Sequence, residues 1–347
     1  MARDHQVRAR WVFASIGAAL VCVFVASVLL GAMPIPASSL WGLCAETLGM
    51  SSASEVPSGH RYVLVHLRLP RAIFAVLIGA ALSVSGAMMQ GLFRNPLADP
   101  GLLGVSSGAA LGAALVIVLG FSFPVYPLLT LPVSAFVGGV LATVVVMRLS
   151  FQGSKASVAN MLLAGIAINA ICGAGTGLLV YISDDEQLRS LTFWTMGSVG
   201  GASWANLPYV LLFAFTPALV ALPFARSINA LLLGESDAHL LGVNVERIKV
   251  LIIVLVCIMV GTSVSLTGMI GFVGLVVPHL CRLLLGADNR RVFFGSMLLG
   301  ATLLLSADLI ARTIVAPAEL PIGIVTSIVG GPFFLSLLYS SRKGGMF

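Results

Sequence analysis

The chain has 347 residues, of which 59% are hydrophobic and only 9% are charged, and its formal net charge is +6. Soluble domains carry roughly 25% charged residues, so this composition excludes an ordinary water-soluble enzyme. The basic residues are scattered through the connections between apolar runs and form no basic stripe, which argues against a nucleic-acid partner. The composition therefore indicates a protein embedded in the lipid bilayer.

Apolar runs long enough to cross the bilayer recur along the whole chain. A helix of roughly 20 apolar residues spans a hydrocarbon core of about 30 Å, and Gly-rich spans pack closely through small residues. We therefore predict an all-α polytopic membrane protein with a single transmembrane domain over residues 1–347. The ten predicted spans lie, in chain order, near residues 11–33, 72–92, 102–120, 126–147, 157–182, 205–224, 249–267, 270–285, 292–311 and 322–340.

The distribution of basic residues predicts the orientation of these spans. An even number of spans places both termini on the same side of the membrane. With the N-terminus inside, the inner segments hold 14 of the 19 lysines and arginines and the outer segments hold five. Because inner segments carry the excess of positive charge in membrane proteins, we predict that both termini are cytoplasmic.

Two of the predicted outer segments are long. Residues 34–71 are polar and Ser-rich, and they end in the run RLPR. Residues 183–204 open with three acidic residues and continue as a short predicted helix over 188–199, outside the bundle of spans.

The predicted inner segment 225–248 is more than a connection. It contains two short amphipathic pieces, at 228–233 and 236–241. Gly234 and Glu235 separate the two pieces, and Gly242 follows the second. An inner segment with amphipathic helices offers apolar side chains to a partner in the cytoplasm.

The sequence carries no catalytic constellation. It contains neither the HExxH motif of zinc proteases nor the GxxxxGK[ST] phosphate-binding loop, and no two histidines are four residues apart. The five cysteines lack CxxC spacing, so we predict no metal site. We expect a transport protein rather than an enzyme, and active transport would then draw its energy from a separate subunit or from an ion gradient.

Asp308 is the main charged residue inside a predicted span. Arg312 follows four residues later and shares its helix face. A charge in the bilayer is costly unless it is paired, so we favour a structural ion pair. The alternative is a proton relay, which would suit a proton-coupled secondary transporter.

Span five carries a small and mildly polar stripe. Its members are Asn160, Gly165, Asn169, Cys172 and Thr176, of which the last four lie on one helix face. The stripe fits the lining of a transport pathway, and it equally fits close helix packing with an interhelical asparagine hydrogen bond.

Three arginines, Arg68, Arg71 and Arg312, emerge on the outer side, where arginine is otherwise scarce. They could anchor the spans in the headgroup region, or they could form a docking site for carboxylates. The residue pattern alone leaves both interpretations open.

Four segments closely resemble the membrane subunits of the ABC importers for iron-siderophores, haem and cobalamin. The first is LRLPRAIFAVLIGAALSVSGAMMQGLFRNPLADPGLLGVSSGAALG, at 67–112. The others are LLLGESDAHLLGVNV (231–245), TGMIGFVGLVVPHLCRLLLGADNRR (267–291) and SADLIARTIVAPAELPIGIVTSIVGGPFF (306–334). The resemblance covers nearly the whole chain and implies a ten-span, cobalamin-permease-like type II importer fold.

The resemblance also implies an assembly. The permease would pair with a second copy of itself as a homodimer in the bacterial inner membrane, with two ATP-binding cassette subunits below and a periplasmic substrate-binding protein above. ATP would be used by the partner subunit, and no cofactor would be permanently bound. The pattern is most similar to bacterial haem permeases, which implies haem as the substrate, with a ferric siderophore or cobalamin as alternatives.

The resemblance assigns roles to particular residues. Arg68, Arg71 and Arg312 match the residues that meet glutamates of the binding protein. Span five and the loop before it, 152–157, match the pathway lining and its inner gate. The loop at about 226–247 matches the segment that docks on the ATPase, and the expected contact residues there are Leu233, Gly234, Glu235, Ser236, Ala238, Leu240, Leu241 and Gly242.

Overall fold

The computed structural model describes residues 2–47, 56–120, 122–123, 126–153 and 155–344. Apart from two short strands, the regular structure in these ranges is helical, in agreement with the predicted all-α class. The elements, in chain order, are α1 (Ala2–Leu29), α2 (Ala37–Thr47), α3 (Ser58–Tyr62), α4 (Leu69–Phe93), α5 (Val105–Leu119), α6 (Pro127–Ser150), β1 (Phe151–Gln152), β2 (Lys155–Ala156), α7 (Val158–Ile182), α8 (Asp185–Met196), α9 (Leu207–Val210), α10 (Thr216–Ala221), α11 (Ala225–Leu233), α12 (Glu235–Leu240), α13 (Val245–Thr267), α14 (Val273–Leu285), α15 (Asn289–Thr313) and α16 (Ile322–Gly344).

Seven helical segments in the described part of the chain are long and apolar enough to cross a membrane. Three shorter apolar helices, α5, α14 and residues 322–336 of α16, accompany them. Each of the ten predicted spans overlaps one of these ten segments. The predicted helices are therefore observed, while the number that cross the bilayer stays a prediction.

The outer segment 34–71 differs from the polar connection that we predicted. It contains α2, and from Ser58 onward α3 continues through a π-helical turn at Val63–Arg68 into α4 without a break. Polar and charged residues between Ser58 and Arg68 lower the hydropathy of this run, but none of them interrupts the helix. Pro70 lies in the first turn of α4, where its missing N–H is tolerated. Residues 48–55 lie outside the described ranges.

Helix α4 forms the centre of the bundle and packs against α14 and α15 at backbone contact. A Cβ atom added to Gly86 would lie 1.6 Å from the carbonyl oxygen of Gly274, and one added to Gly79 would lie 2.3 Å from that of Gly300. These contacts require glycine, because any side chain would push the two helices apart.

The pair α5 and α6 packs in the same way. A Cβ atom at Gly108 would lie 2.4 Å from the Gly138 carbonyl oxygen, and one at Gly112 would lie 2.3 Å from the Ser134 carbonyl oxygen. Helix α7 packs against α5 and α6 on one side. Its opposite side exposes Leu163 and Ile166.

Candidate functional site

The predicted inner segment folds into two short helices, α11 and α12, which we call the inner helix pair. Helix α11 ends at Gly234, whose φ of 132° is a backbone conformation that residues with a side chain rarely adopt. Helix α12 starts directly after it and packs on α11 and α13. The predicted division at Gly234 and Glu235 is therefore observed, with the helices at 225–233 and 235–240.

The inner helix pair exposes three leucines. Leu240 is 87% exposed, Leu233 is 66% exposed and Leu241 is 63% exposed. Ser236 and Gly242 are also exposed. Ala238 differs from the expectation, because it is fully buried between α12 and the bundle and is not available to a partner. These three leucines are exposed apolar side chains that nothing in the described chain covers.

Polar contacts fix the underside of the inner helix pair. The Asn229 amide donates to Asp288 at 2.7 Å and accepts from the Asn289 backbone N–H at 2.9 Å. Burial alone would raise the pKa of Asp288, but the Asn229 hydrogen bond, the Arg290 backbone N–H and nearby arginine charges together lower it. Asp288 is therefore a carboxylate at neutral pH and also caps the N-terminus of α15.

At the other end of the bundle, Arg68 and Arg312 hold the C-terminal end of α1. Arg68 donates to the carbonyl oxygens of Val28, at 3.0 Å, Leu29 and Met33. Arg312 donates to both the carbonyl and the hydroxyl oxygen of Ser27. The last carbonyls of a helix have no partner within it, and in a membrane protein they must be satisfied by other groups. Both side chains are buried.

Arg71 forms the main ion pair of this region. Its Nε and Nη2 atoms lie 2.9 and 2.8 Å from Oδ1 of Asp308, and it also donates to both oxygens of Glu319. The predicted partner of Asp308 was Arg312, but the Arg312 Nε atom lies 3.5 Å from Oδ2 without a hydrogen bond. The predicted ion pair is therefore present, and Arg71 on α4, which the prediction did not include, approaches the carboxylate more closely. The Arg71 hydrogen bond lowers the pKa of Glu319.

The structure brings the three arginines together around one cavity. Arg68, Arg71 and Arg312 line a space of about 380 Å³ together with Gly200 and Glu319. Each guanidinium already has a partner inside the chain, so the cluster is not the open cationic surface that a docking site for carboxylates suggests. Arg71 alone bonds to a partner, Glu319, whose side chain is substantially exposed.

The stripe on α7 faces the interior of the bundle over most of its length. Gly165 packs against the Leu102 carbonyl oxygen. The Asn169 amide donates to the Gly101 carbonyl oxygen at 3.1 Å and its oxygen accepts from the Ser107 hydroxyl. Cys172 is buried. These contacts match the packing interpretation of the stripe. The remaining members, Asn160 and Thr176, are partly exposed.

Sequence reasoning did not anticipate an open cavity of about 640 Å³ between α8, α16 and the turns before α5 and α14. Its lining includes Asp99, Ser106, Met196, Met269 and Ser327. The lining comes from four separate stretches of the chain, 99–106, 195–196, 269–271 and 323–328, and no spacing in the sequence links them. Only the folded chain identifies this cavity.

A serine motif near this cavity resembles a catalytic motif but lacks the structural surroundings of one. Residues 104–108, GVSSG, have the G-x-S-x-G spacing of hydrolase nucleophile turns. Here the run begins α5 after a 3₁₀ turn instead of following a strand, and Ser107 donates to Gly104 and Asn169. No histidine is among the described partners of either serine, and no three His, Cys, Asp or Glu side chains in the described ranges converge on a metal position.

Comparisons with known proteins agree with this architecture. Residues 19–340 match the FecCD transport family. The hemin transport system permease protein HmuU of Yersinia pestis is 46% identical over 327 residues, which are 93% of this chain and 94% of that protein. The vitamin B12 import system permease protein BtuC of Vibrio vulnificus is 41% identical and covers 88% of this chain and 91% of its own length.

A solved structure has the same fold. It is an inward-facing conformation of a metal-chelate type ABC transporter, which superposes with a TM-score of 0.81 at 34% identity and covers 95% of this chain and 99% of its own. The family match extends over nearly the whole chain and agrees with the resemblance seen in the sequence. The chain belongs to the FecCD transport family and is a permease subunit of an ABC importer.

Proposed function

We propose that this chain moves haem from the periplasm to the cytoplasm of a bacterium by alternating access. Two copies pair as a homodimer in the inner membrane, with both termini cytoplasmic. Two ATP-binding cassette subunits bind below and supply the energy, and a periplasmic binding protein delivers the substrate from above. No cofactor is permanently bound, and haem is the cargo.

The exposed leucines of the inner helix pair carry the proposal. Leu240 and Leu241 lie outside the long apolar helical segments, and Leu233 is the last residue of one of them. Exposed apolar side chains beyond the spans mark a protein interface. The inner helix pair lies at the end of the predicted spans that carries most of the basic residues, which is the predicted cytoplasmic end. The ATPase subunit is the partner that this surface fits, because an ATP-driven importer needs an apolar and rigid contact to transmit movement.

The binding protein docks at the opposite end, around the arginine cavity. Arg71 is the residue best suited to meet a carboxylate of the binding protein, since an incoming glutamate can replace the exposed Glu319. Arg68 and Arg312 contribute by fixing the end of α1 beside the cavity. The resemblance implies that Arg68 and Arg312 contact the binding protein directly. For that, their guanidinium groups must leave the carbonyl oxygens of α1 and bind carboxylates of the binding protein when it docks.

The transport pathway forms between two copies of the chain. The 640 Å³ cavity is open, and α7 exposes apolar side chains that include Ile166 and Ile171. Asn160 and Thr176 are the members of the α7 stripe that are partly exposed without a described contact to α5. A second copy encloses the open side, and a shift of α7 opens the pathway outward or inward.

Haem is the favoured substrate because a hemin permease is 46% identical over 93% of this chain. A vitamin B12 permease at 41% identity supports cobalamin, or a ferric siderophore, as the alternative within the same importer class. A proton-coupled secondary transporter would need a carboxylate free to exchange protons. The two short bonds from Arg71 to Asp308 support a structural role for that carboxylate instead.

The test is uptake into proteoliposomes that hold this chain with its co-purified ATPase. Hemin-loaded binding protein is supplied outside, with cobalamin and a ferric siderophore as competitors. We expect hemin uptake that requires both ATP and the binding protein. Uptake of a competitor in place of hemin would change the substrate and keep the importer class, and uptake that follows a pH gradient without ATP would refute the proposal.

A further inference from the structure

Lys249, in the first turns of α13, is a buried lysine to which the proposed function assigns no role. Only 2% of the residue is exposed, and its Nζ atom lies 2.8 Å from the Ala156 carbonyl oxygen, 2.9 Å from Oε2 of Glu235 and 3.2 Å from Oε1 of Glu246. A lysine ammonium has three N–H donors. Each donor therefore has one oxygen partner, and the buried charge is fully satisfied.

The three oxygens belong to three different parts of the molecule. Glu235 is the first residue of α12, in the inner helix pair. Glu246 is on α13 beside Lys249. Ala156 is the last residue of the short β1–β2 hairpin, two residues before the start of α7. One ammonium group thus joins the surface proposed to bind the ATPase to the segment that leads into the pathway helix.

Two side chains of α13 bind the backbone of the hairpin. While Lys249 donates to the carbonyl oxygen of Ala156, the second carboxylate oxygen of Glu246 accepts from the Ala156 backbone N–H at 2.7 Å. Both polar atoms of one residue are therefore bonded to side chains of α13. The hairpin is further aligned by the pairing of Phe151 with Ala156 and by a bond from the Ser157 N–H to the Ser150 carbonyl oxygen.

The Glu235 arm of this network is the one able to move. Its side chain is 40% exposed and also lies 3.8 Å from the guanidinium of Arg94, whereas the side chain of Lys249 is 3% exposed. Glu235 directly follows Gly234, where the backbone changes direction between α11 and α12. A displacement of α12 therefore moves Glu235 first, and Lys249 must either follow it or lose a charge-assisted bond in a buried site.

We propose that Lys249 is a positioning residue that transmits movement of the inner helix pair to the hairpin before α7. This inference rests on the proposed function, in which the ATPase binds the exposed leucines of that pair. When α12 moves, its Glu235 displaces Lys249 through their ion pair. Lys249 and Glu246, which both bind the backbone of Ala156, then displace Ala156. The inner end of α7 is then displaced with the hairpin, so ATP hydrolysis is coupled to opening of the pathway.

A merely structural role makes a different prediction. If Lys249 only neutralises two carboxylates, its loss weakens the fold and lowers hydrolysis and uptake in proportion. If it transmits movement, its loss leaves the ATPase bound and active while the substrate moved per ATP falls. The ratio of uptake to hydrolysis therefore separates the two roles.

The experiment measures ATP hydrolysis and hemin uptake in proteoliposomes containing the complete complex with its binding protein. The variants are Lys249→Met, which keeps the length of the side chain without its charge, Lys249→Arg and Glu235→Gln. Arg10→Met is the matched control, because it removes an exposed basic residue at the same predicted face on another helix. The amount of co-purified ATPase is measured for each.

We expect K249M to retain the bound ATPase and to hydrolyse ATP within twofold of the wild-type rate, while hemin moved per ATP falls at least tenfold. K249R should recover at least a third of the wild-type ratio, and the Arg10→Met control should match the wild type. An unchanged ratio in K249M, or equal losses of hydrolysis and uptake, would overturn the inference.

If K249M fails to assemble, the ratio of uptake to hydrolysis in E235Q tests the inference instead. Its altered carboxylate is partly exposed, so folding should tolerate the change, and a ratio at least threefold below wild type is expected. A wild-type ratio in E235Q would overturn the inference. Absence of ATP-dependent uptake in the wild-type complex would count against the proposed function itself, which keeps the two failures distinguishable.

Discussion

The exposed leucine pair of α12 allows a quantitative prediction about assembly. Replacing Leu240 and Leu241 with Ala removes two side chains that are 87% and 63% exposed in the free chain. Complete burial of a leucine side chain is worth about 1.5–3 kcal/mol, so covering these two exposed fractions is worth about 2–4 kcal/mol per interface. At 1.4 kcal/mol for each factor of ten, the affinity for the ATPase should fall roughly thirtyfold to several-hundredfold.

The assay is a titration of purified ATPase against the permease in lipid nanodiscs. Leu149→Ala with Leu283→Ala is the matched control, because these leucines are 59% and 60% exposed at the ends of other helices. The control should bind with wild-type affinity. Replacing Leu240 and Leu241 with Asp should abolish co-purification, since the interface would then bury two charges without partners. Wild-type affinity in the Ala pair would refute the assignment of the docking surface.

Three further predictions concern the bundle and its arginine cavity. Gly86→Val should lower the free energy of unfolding by about 1–3 kcal/mol or more, because its Cβ meets a backbone oxygen, and the thermal unfolding midpoint in detergent should fall with it. Gly17→Val, with open space around it, is the control and should leave the midpoint unchanged. Asp308→Asn should cost about 3–5 kcal/mol, because the buried Arg312 guanidinium loses its carboxylate and Arg71 keeps only the exposed Glu319. Glu319→Gln at an exposed carboxylate should cost less than about 1 kcal/mol, and equal midpoints would contradict the ion-pair assignment. Arg68→Ala should increase labelling of cysteines introduced near the end of the first helix while ATPase binding persists, and unchanged labelling would contradict its role as a cap.

Much of the inner surface could be predicted from the sequence because its signals are local. An apolar period of 3.6 residues and a glycine between two short runs are enough to place α11, α12 and the turn at Gly234. The same signals do not give the orientation of each helix relative to the bundle. For that reason the exposed Leu240 and the buried Ala238 were grouped together as contact residues.

The outer cluster could be predicted only in part because its contacts join distant parts of the chain. The sequence places Arg68, Arg71 and Arg312 on one side of the membrane, which brings them to a common region. It does not show that the carbonyls at the end of α1 need donors. It also does not show that Arg71 lies closer to Asp308 than Arg312 does. Lys249 was counted only as one of the inner basic residues for the same reason.

The bonds between Arg312 and Ser27 have a consequence for the order of events during synthesis. The two residues are 285 positions apart, so the Ser27 carbonyl at the end of α1 receives this donor only when the ninth predicted span has left the ribosome, whereas Arg68 is available to Val28 and Leu29 much earlier. At about 5–20 residues per second, that interval lasts on the order of 15–60 s. Until then Arg68 is the one of these two arginines that can hold the end of α1, and the contact of Arg312 with Ser27 completes the arrangement late in synthesis.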